Sequence, residues 1–276
     1  MSAKVKETVS EEVVRVRGLT ADAARSGAYL YPLKGIAYFA THRSLWKPFL
    51  SKLLPTITLG IGVTATMFVF TYLPQAAVLA VVNGPLAAFT TVLLVLNESS
   101  TIFTILSKTF LIDDALIDTF DGTLVAKGMT GVVSDGREIK RGNDPISKLG
   151  KLIKKPFSSF TPQAIIRYFM YLPLNFIPVI GTILFLVLQG KKAGPTAHAR
   201  YFQLKEWSKS QRAAFIHQNQ GAYTSFGLIA VLLELIPVAS ILFSFTNTVG
   251  AALWAANIEK ESTTAPNLRE QAKKAE

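Results

Sequence analysis

From Leu53 to Asn97 the chain carries no Asp, Glu, Lys, Arg or His. A run of about 45 residues would extend about 70 Å as a helix, whereas the hydrocarbon core of a bilayer is about 30 Å thick. The run therefore predicts two crossings joined by a turn. Thr71-Tyr-Leu-Pro-Gln75 is the expected turn, because Pro74 has no amide hydrogen to continue a helix and Tyr72 suits a membrane–water interface. Gly60, Gly62, Gly84 and Ala87 are small enough to let the two helices approach. Composition agrees, since half of the residues are hydrophobic and only 17% are charged, against roughly 25% in soluble domains.

Two further apolar runs follow. Tyr168 to Gly190 has the length of one crossing but contains Pro173, Pro178 and Gly181. Thr161-Pro162 is a helix start, with Thr as cap and Pro in the first turn. Phe176 to Gly181 should break that helix before Thr182 to Gln189 forms a second, short one, a re-entrant hairpin whose broken backbone neighbouring helices must cover. The third run, Gln218 to Ile258, holds a single charge, Glu234. Leu174-Asn-Phe-Ile-Pro-Val-Ile-Gly-Thr-Ile-Leu-Phe185 matches Leu233-Glu-Leu-Ile-Pro-Val-Ala-Ser-Ile-Leu-Phe243 with a one-residue gap, which argues for two related hairpins. Pro74, Pro178 and Pro237 are thus the three expected breaks.

The connectors supply a topology. Residues 127–155 and 191–212 are rich in Lys and Arg, as is Lys34 to Lys52, and basic connectors stay on the cytosolic side. If all of them share one side, each apolar run must return to the side it entered. The expected organisation is a polar tail over 1–28 and a membrane domain over 29–259. Within it lie an interfacial helix (29–52), a hairpin (53–97), a cytosolic linker (98–160), a re-entrant hairpin (161–190), a basic linker (191–217) and a hairpin (218–258). Residues 121–145 should form a loop or β-hairpin, and 260–276 a loose tail or frayed helix. The N-terminal residues are too charged for a cleavable signal. The fold class expected is an all-α integral membrane protein, with two long transmembrane helices, two proline-broken half-membrane hairpins and an N-terminal interfacial helix.

Enzyme chemistry finds little purchase. There is no cysteine, hence no thiolate nucleophile or Cys-based zinc site. His42, His198 and His217 sit in no spacing with Ser and Asp that suggests a triad, and the latter two are too far apart for a helical metal pair. No phosphate or dinucleotide loop is present. Asp113, Asp114, Asp118 and Asp121 have helical spacing; without a calcium loop they read as a solvated face beside basic partners. Asn97-Glu-Ser99 is a formal glycosylation acceptor that this topology places at the cytosolic end. Glu234 is the candidate functional charge, because a carboxylate inside a hairpin must be neutralised, paired or wetted. The net charge of +11 flanks uncharged runs, which suits anionic lipid headgroups and not nucleic acid. No cofactor or metal is expected, and a homo-oligomer is left open.

Leu30-Tyr-Pro-Leu-Lys-Gly-Ile-Ala-Tyr38, Ser44-Leu-Trp46, both Ile-Pro-Val breaks and Phe243-Ser-Phe-Thr-Asn-Thr-Val-Gly-Ala-Ala-Leu-Trp-Ala-Ala256 resemble the etoposide-induced-protein and CysZ-like membrane superfamily. Within it the chain is most similar to the fungal branch, the outer-spore-wall and lipid-droplet membrane proteins. The resemblance implies two long spanning helices plus half-membrane hairpins, and a non-enzymatic role at lipid droplets or the endoplasmic reticulum in spore-wall or lipid-related processes. Bacterial members are sulfate permeases with an anion-binding Gly-Leu-Arg. The matching place here is Ser44-Leu45-Trp46, which lacks the glycine and the arginine, so sulfate-like anion permeation is the alternative reading. Under it, Glu234, Arg167, Asn175 and Asn247 are the candidate polar membrane residues.

Overall fold

The computed structural model describes residues 23, 25–153, 180–236 and 239–275. Arg167, Asn175, Pro178 and Pro237, together with the first copy of the repeat up to Val179, lie outside the described residues. The chain divides into two compact units, residues 46–117 and residues 1–45 with 118–276.

The first unit is a helical hairpin. Helix α2, Trp46–Asn83, has 38 residues and would be about 57 Å long. It is followed by a 3-10 turn, Gly84–Leu86, and by α3, Ala87–Leu106, which continues through a π-helical turn at Ser107–Leu111. Pro74, expected to break the chain, lies inside α2 together with Pro55. The turn falls instead at Gly84, whose φ of +53° is open to glycine at little cost, with Pro85 next and needing no amide partner. Thr71-Tyr-Leu-Pro-Gln has no residue suited to that conformation. Hydroxyls inside the hairpin bond back to the helix: Thr71 Oγ1 donates to the Met67 carbonyl at 2.7 Å and Thr91 Oγ1 to the Ala87 carbonyl at 2.7 Å. Such bonds satisfy hydroxyl donors inside the helices where water is scarce.

With the turn at Gly84, the second arm moves toward the C-terminus. Glu98, expected to open a cytosolic linker, stands inside α3, and so does the Asn97-Glu-Ser99 sequon. Ala87, Thr91, Val95 and Ser99 are the buried stripe of α3, four apart and small enough for close packing on one face. Phe103 lies 3.3 Å from where a Cβ on Gly60 would stand, while Gly62 has open space around it. The outer face is uncovered: Leu54, Ile61, Val69, Phe70, Leu73 and Val81 are each at least 67% exposed. Only 6% of the most apolar window of α2 is buried. Large side chains left bare in such numbers call for a non-aqueous surrounding.

The second unit starts with a 3-10 turn, Ala28–Leu30, and α1, Tyr31–Thr41, which stops at His42 before a further 3-10 turn at Arg43–Leu45. The single interfacial helix expected over 29–52 is therefore divided, and Trp46 to Lys52 belong to α2. Later elements are α4, Asp113–Ala126, whose residues from Asp118 onward belong here; α5, Thr130–Ser134; and the antiparallel strands β1, Arg137–Ile139, and β2, Leu149–Leu152. Then come α6, Ile180–Ala197; α7, Ala199–Leu204; α8, Lys209–Gln218; α9, Gln220–Glu234; and α10, Ser240–Ala275. Helix α6, expected from Thr182 to Gln189 as the second helix of a re-entrant hairpin, thus runs well past Gln189, through Lys191 and Lys192. Residues 260–275, expected as a loose tail or frayed helix, continue α10.

Two backbone-to-backbone crossings hold this unit. A Cβ on Gly227 of α9 would stand 2.0 Å from the Gly190 carbonyl oxygen of α6, and one on Gly194 would stand 2.0 Å from the Tyr223 carbonyl oxygen. A Cβ on Gly35 of α1 would meet Gly250 N of α10 at 2.7 Å. Close helix approach of this kind is how apolar helices associate without a hydrophobic drive. Three helices are long and apolar enough to cross a membrane, with spans at Arg43–Val81, Gly84–Leu111 and Ser240–Ser262. The last differs from the others, because 67% of its window is buried inside the protein.

Candidate functional site

The apolar helices bring polar side chains together in pairs. At the end of α9, Glu234 faces Asn247, two turns into α10. Asn247 Nδ2 donates to Glu234 Oε1 at 3.1 Å and to the Ala230 carbonyl at 3.1 Å. Asn247 is buried, and its Oδ1 has no hydrogen-bond partner. Two of the four candidate polar residues are thus in contact across the Glu234–Ser240 break, and Arg167 and Asn175 lie outside the described residues. An amide donor against the carboxylate lowers the cost of holding Glu234 between exposed apolar neighbours such as Leu235 and Ile236.

An equivalent pair lies in the α2–α3 hairpin, where sequence reading expects no charge. Gln75 Nε2 donates to Glu98 Oε2 at 2.7 Å, and Gln75 Oε1 is buried without a partner. The pair was missed because the turn was expected at 71–75, which makes Gln75 a turn residue and puts Glu98 beyond the membrane arm. The signal that reveals it is Asn83-Gly84-Pro85: a turn there puts Gln75 and Glu98 on facing arms. In both pairs a carboxamide N–H donates a hydrogen bond to a carboxylate while the amide oxygen has no hydrogen-bond partner. Each pair therefore holds more acceptors than donors.

His198 sits at the start of α7 with no exposed surface. Its Nε2 is 2.9 Å from the Ala251 carbonyl and its Nδ1 2.9 Å from the Tyr223 hydroxyl. A carbonyl only accepts, so Nε2 carries the hydrogen and Nδ1 accepts from Tyr223. Trp254, Tyr201, Tyr223 and Phe202 surround the ring at centroid distances of 4.6 to 6.1 Å. Beside it Tyr201 donates to Glu259 Oε1 at 2.7 Å, and Lys205 pairs with the same carboxylate at 3.1 Å. These bonds tie α7 to α10. His42 caps α1, its Nδ1 2.9 Å from the Tyr38 carbonyl, and His217 lies in the last turn of α8.

Burial pushes the His198 ring down to about 4 from an ordinary value of 6.5. Between those values the unfolded chain binds a proton that the folded one refuses, so stability is full above about pH 6.5 and falls as pH drops toward 4. The expected loss is about 3 kcal/mol, read as a falling thermal midpoint in detergent over that window. His198→Gln should flatten this part of the profile. An unchanged profile in that variant would remove the ring from the account.

The aspartates of α4 divide. Asp113 and Asp114 are exposed, as a solvated face requires, but Asp121 has no exposed surface. It accepts Arg200 Nε at 2.9 Å and Nη2 at 2.7 Å, with Arg137 Nη1 at 3.2 Å, while Arg137 Nη2 reaches Asp118 at 2.5 Å. Burial raises the Asp121 carboxyl and the two guanidinium groups pull it back. The expected solvated face is therefore corrected at Asp121: two arginines from β1 and α7 enclose it. Among the described residues no group of three or more His, Cys, Asp or Glu could hold a metal ion.

Comparison with known proteins places these features in a family. The family described as Sulfate transporter CysZ/Etoposide-induced protein 2.4 matches residues 31–244. The outer spore wall protein LDS1 of Saccharomyces cerevisiae is 23% identical over 240 residues, covering 84% of this chain and 71% of the relative. The outer spore wall protein RRT8 of the same yeast is 27% identical over 252 residues, covering 85% of this chain and 73% of the relative.

Proposed function

This chain belongs to the Sulfate transporter CysZ/Etoposide-induced protein 2.4 family, and from that premise we propose that it is a non-enzymatic hairpin membrane protein of lipid droplets or the endoplasmic reticulum. In this reading it supports fungal spore-wall assembly or related lipid processes, and its basic connectors face the cytosol. The spore-wall part is drawn from the two outer spore wall proteins of yeast to which the chain is similar.

The observation that carries the membrane part is the charge layout of the α2–α3 hairpin. Lys47 and Lys52 stand at its open end on α2, Lys108 stands at its open end after α3, and no charged residue lies near the Gly84 turn. The polar side chain of the tip, Asn83, turns inward to donate to Thr90 Oγ1 at 3.2 Å, leaving Val81, Leu86 and Phe89 outermost. A tip without charge has no need of a second aqueous face, and a droplet monolayer offers none. Anion permeation ranks second, because Leu45, in the place of the anion-binding motif, has its side chain fully buried.

A fluorescent fusion in lipid-loaded fungal cells should ring droplets or label the endoplasmic reticulum. Protease should cleave tags inserted near Lys148 and near Lys205 from the cytosolic side alike. Exclusion of the fusion from both compartments, or opposite protection of the two tags, would refute the proposal.

A further inference from the structure

The outward face of α3 carries a polar side chain that has no partner among the described residues. Ala87, Thr91, Val95 and Ser99 form the buried stripe of α3, and the stripe continues to Phe103, which meets Gly60 of α2. Asn97 lies two positions from both Val95 and Ser99, about 200° around the helix. It therefore points away from α2, and it is exposed. Its main-chain carbonyl accepts from Thr101 Oγ1 at 3.0 Å, but among the described residues nothing bonds to its side-chain amide. Its neighbour Glu98 differs, since that carboxylate accepts from Gln75 on the facing arm at 2.7 Å. Leu93, 51% exposed, stands one turn before Asn97 on the outward face, and exposed Ser100 stands one turn after it.

Depth narrows the partner. Asn97 stands about 20 Å of helix from the Gly84 turn and about 16 Å from Lys108, near the middle of the Gly84–Leu111 span. Headgroups sit at the ends of a span, beyond the reach of a side chain as short as asparagine's, and water is absent at that depth. An amide left unpaired in hydrocarbon is costly. The occupant must bring an acceptor for the Nδ2 hydrogens and a donor for Oδ1, and another asparagine side chain brings both. Copies of one chain inserted from the same side carry their α3 helices parallel and at equal depth. A two-fold axis along the membrane normal then sets the two Asn97 side chains opposite each other, where they close a reciprocal pair.

We infer that two copies of this chain associate in the membrane through the outward face of α3, held by a hydrogen-bonded pair of Asn97 side chains. This rests on the membrane reading above. The chain contains no cysteine, so single cysteines report on this face without background. Leu93→Cys and Ser100→Cys stand one turn either side of Asn97. Val69→Cys is the collision control, because Val69 is 71% exposed on α2 and nearly as far from Gly84 as Ser100 is. Each full-length variant is reconstituted at low density in phosphatidylcholine liposomes, oxidised with copper phenanthroline and dioxygen, and resolved on a non-reducing gel.

At least one of the two α3 cysteines should link two copies about fivefold or more above the Val69→Cys yield. Adding Asn97→Leu should bring that yield down to the control level, whereas Asn97→Gln, which keeps an amide, should retain most of it. Yields at both α3 positions no higher than at Val69→Cys would overturn the pairing, as would a yield that Asn97→Leu leaves unchanged. Oxidation in native membranes that gives a product other than twice the mass of the chain would assign the face to a different protein and overturn it equally. A protein that floats with the liposomes yet stays monomeric refutes the pairing alone, whereas one that fails to float refutes the membrane reading and the pairing with it.

Discussion

Gly227→Val should cost about 3 kcal/mol or more of stability, enough to lower the yield of monodisperse protein as well as its thermal midpoint in detergent. Its Cβ alone would stand 2.0 Å from the Gly190 carbonyl oxygen and 2.6 Å from Gly194 N. Those neighbours are backbone atoms of a helix and cannot swing aside, so α6 and α9 must part along their length. Gly190-Lys-Lys-Ala-Gly194 places its two glycines four apart on one face, with Lys191 and Lys192 exposed, and the crossing depends on that bare face. Gly62→Ala is the control. It also lies in an apolar helix but nothing stands within 4 Å of its would-be Cβ, so it should be neutral or gain up to about 1 kcal/mol from helix propensity. Equal effects at the two positions would show that helix propensity, and not the crossing, sets the outcome.

The contrast also shows how far residue order alone could reach. Apolar runs announce themselves by the absence of charge, so the α2–α3 hairpin and the Ser240 span were legible, and Glu234 stood out as a lone carboxylate. What residue order does not reveal is that Pro74 marks no turn. A proline in a long apolar run looks like a break, yet a membrane helix can absorb one when its surroundings re-satisfy the backbone, and Pro74 lies inside α2. The telling residue was Gly84, whose left-handed conformation no other position in that run adopts among the described residues. Moving the turn by about ten residues also moves Glu98 from a linker into an arm, so one misplaced turn hid one polar pair. Gly190 and Gly194 were obscured differently: two lysines between them made the segment read as a cytosolic linker, although a helix keeps the two faces separate.

The Asp121 network was hidden because its members lie far apart in sequence. Asp121→Ala should destabilise by about 3 to 5 kcal/mol, the range for removing one partner from a buried ion pair. The reason is electrostatic accounting within a dry site: Asp121 and Asp118 balance Arg137 and Arg200, and both arginine side chains are less than 10% exposed. Without Asp121, Arg200 keeps a side-chain bond from Nη1 to the neutral amide oxygen Oε1 of Gln203 at 2.7 Å, and loses the two bonds from Nε and Nη2. Arg137 keeps Asp118, whose side chain is 38% exposed and screened by water. Asp118→Ala should therefore cost far less, about 1 kcal/mol or below, and Asp121→Asn should resemble Asp121→Ala, because the shape is kept and the charge is lost. Thermal unfolding of the three variants in the same detergent separates these outcomes. A loss at Asp121 no larger than that at Asp118 would mean that water reaches the arginines and that β1 and α7 are held to α4 by packing alone.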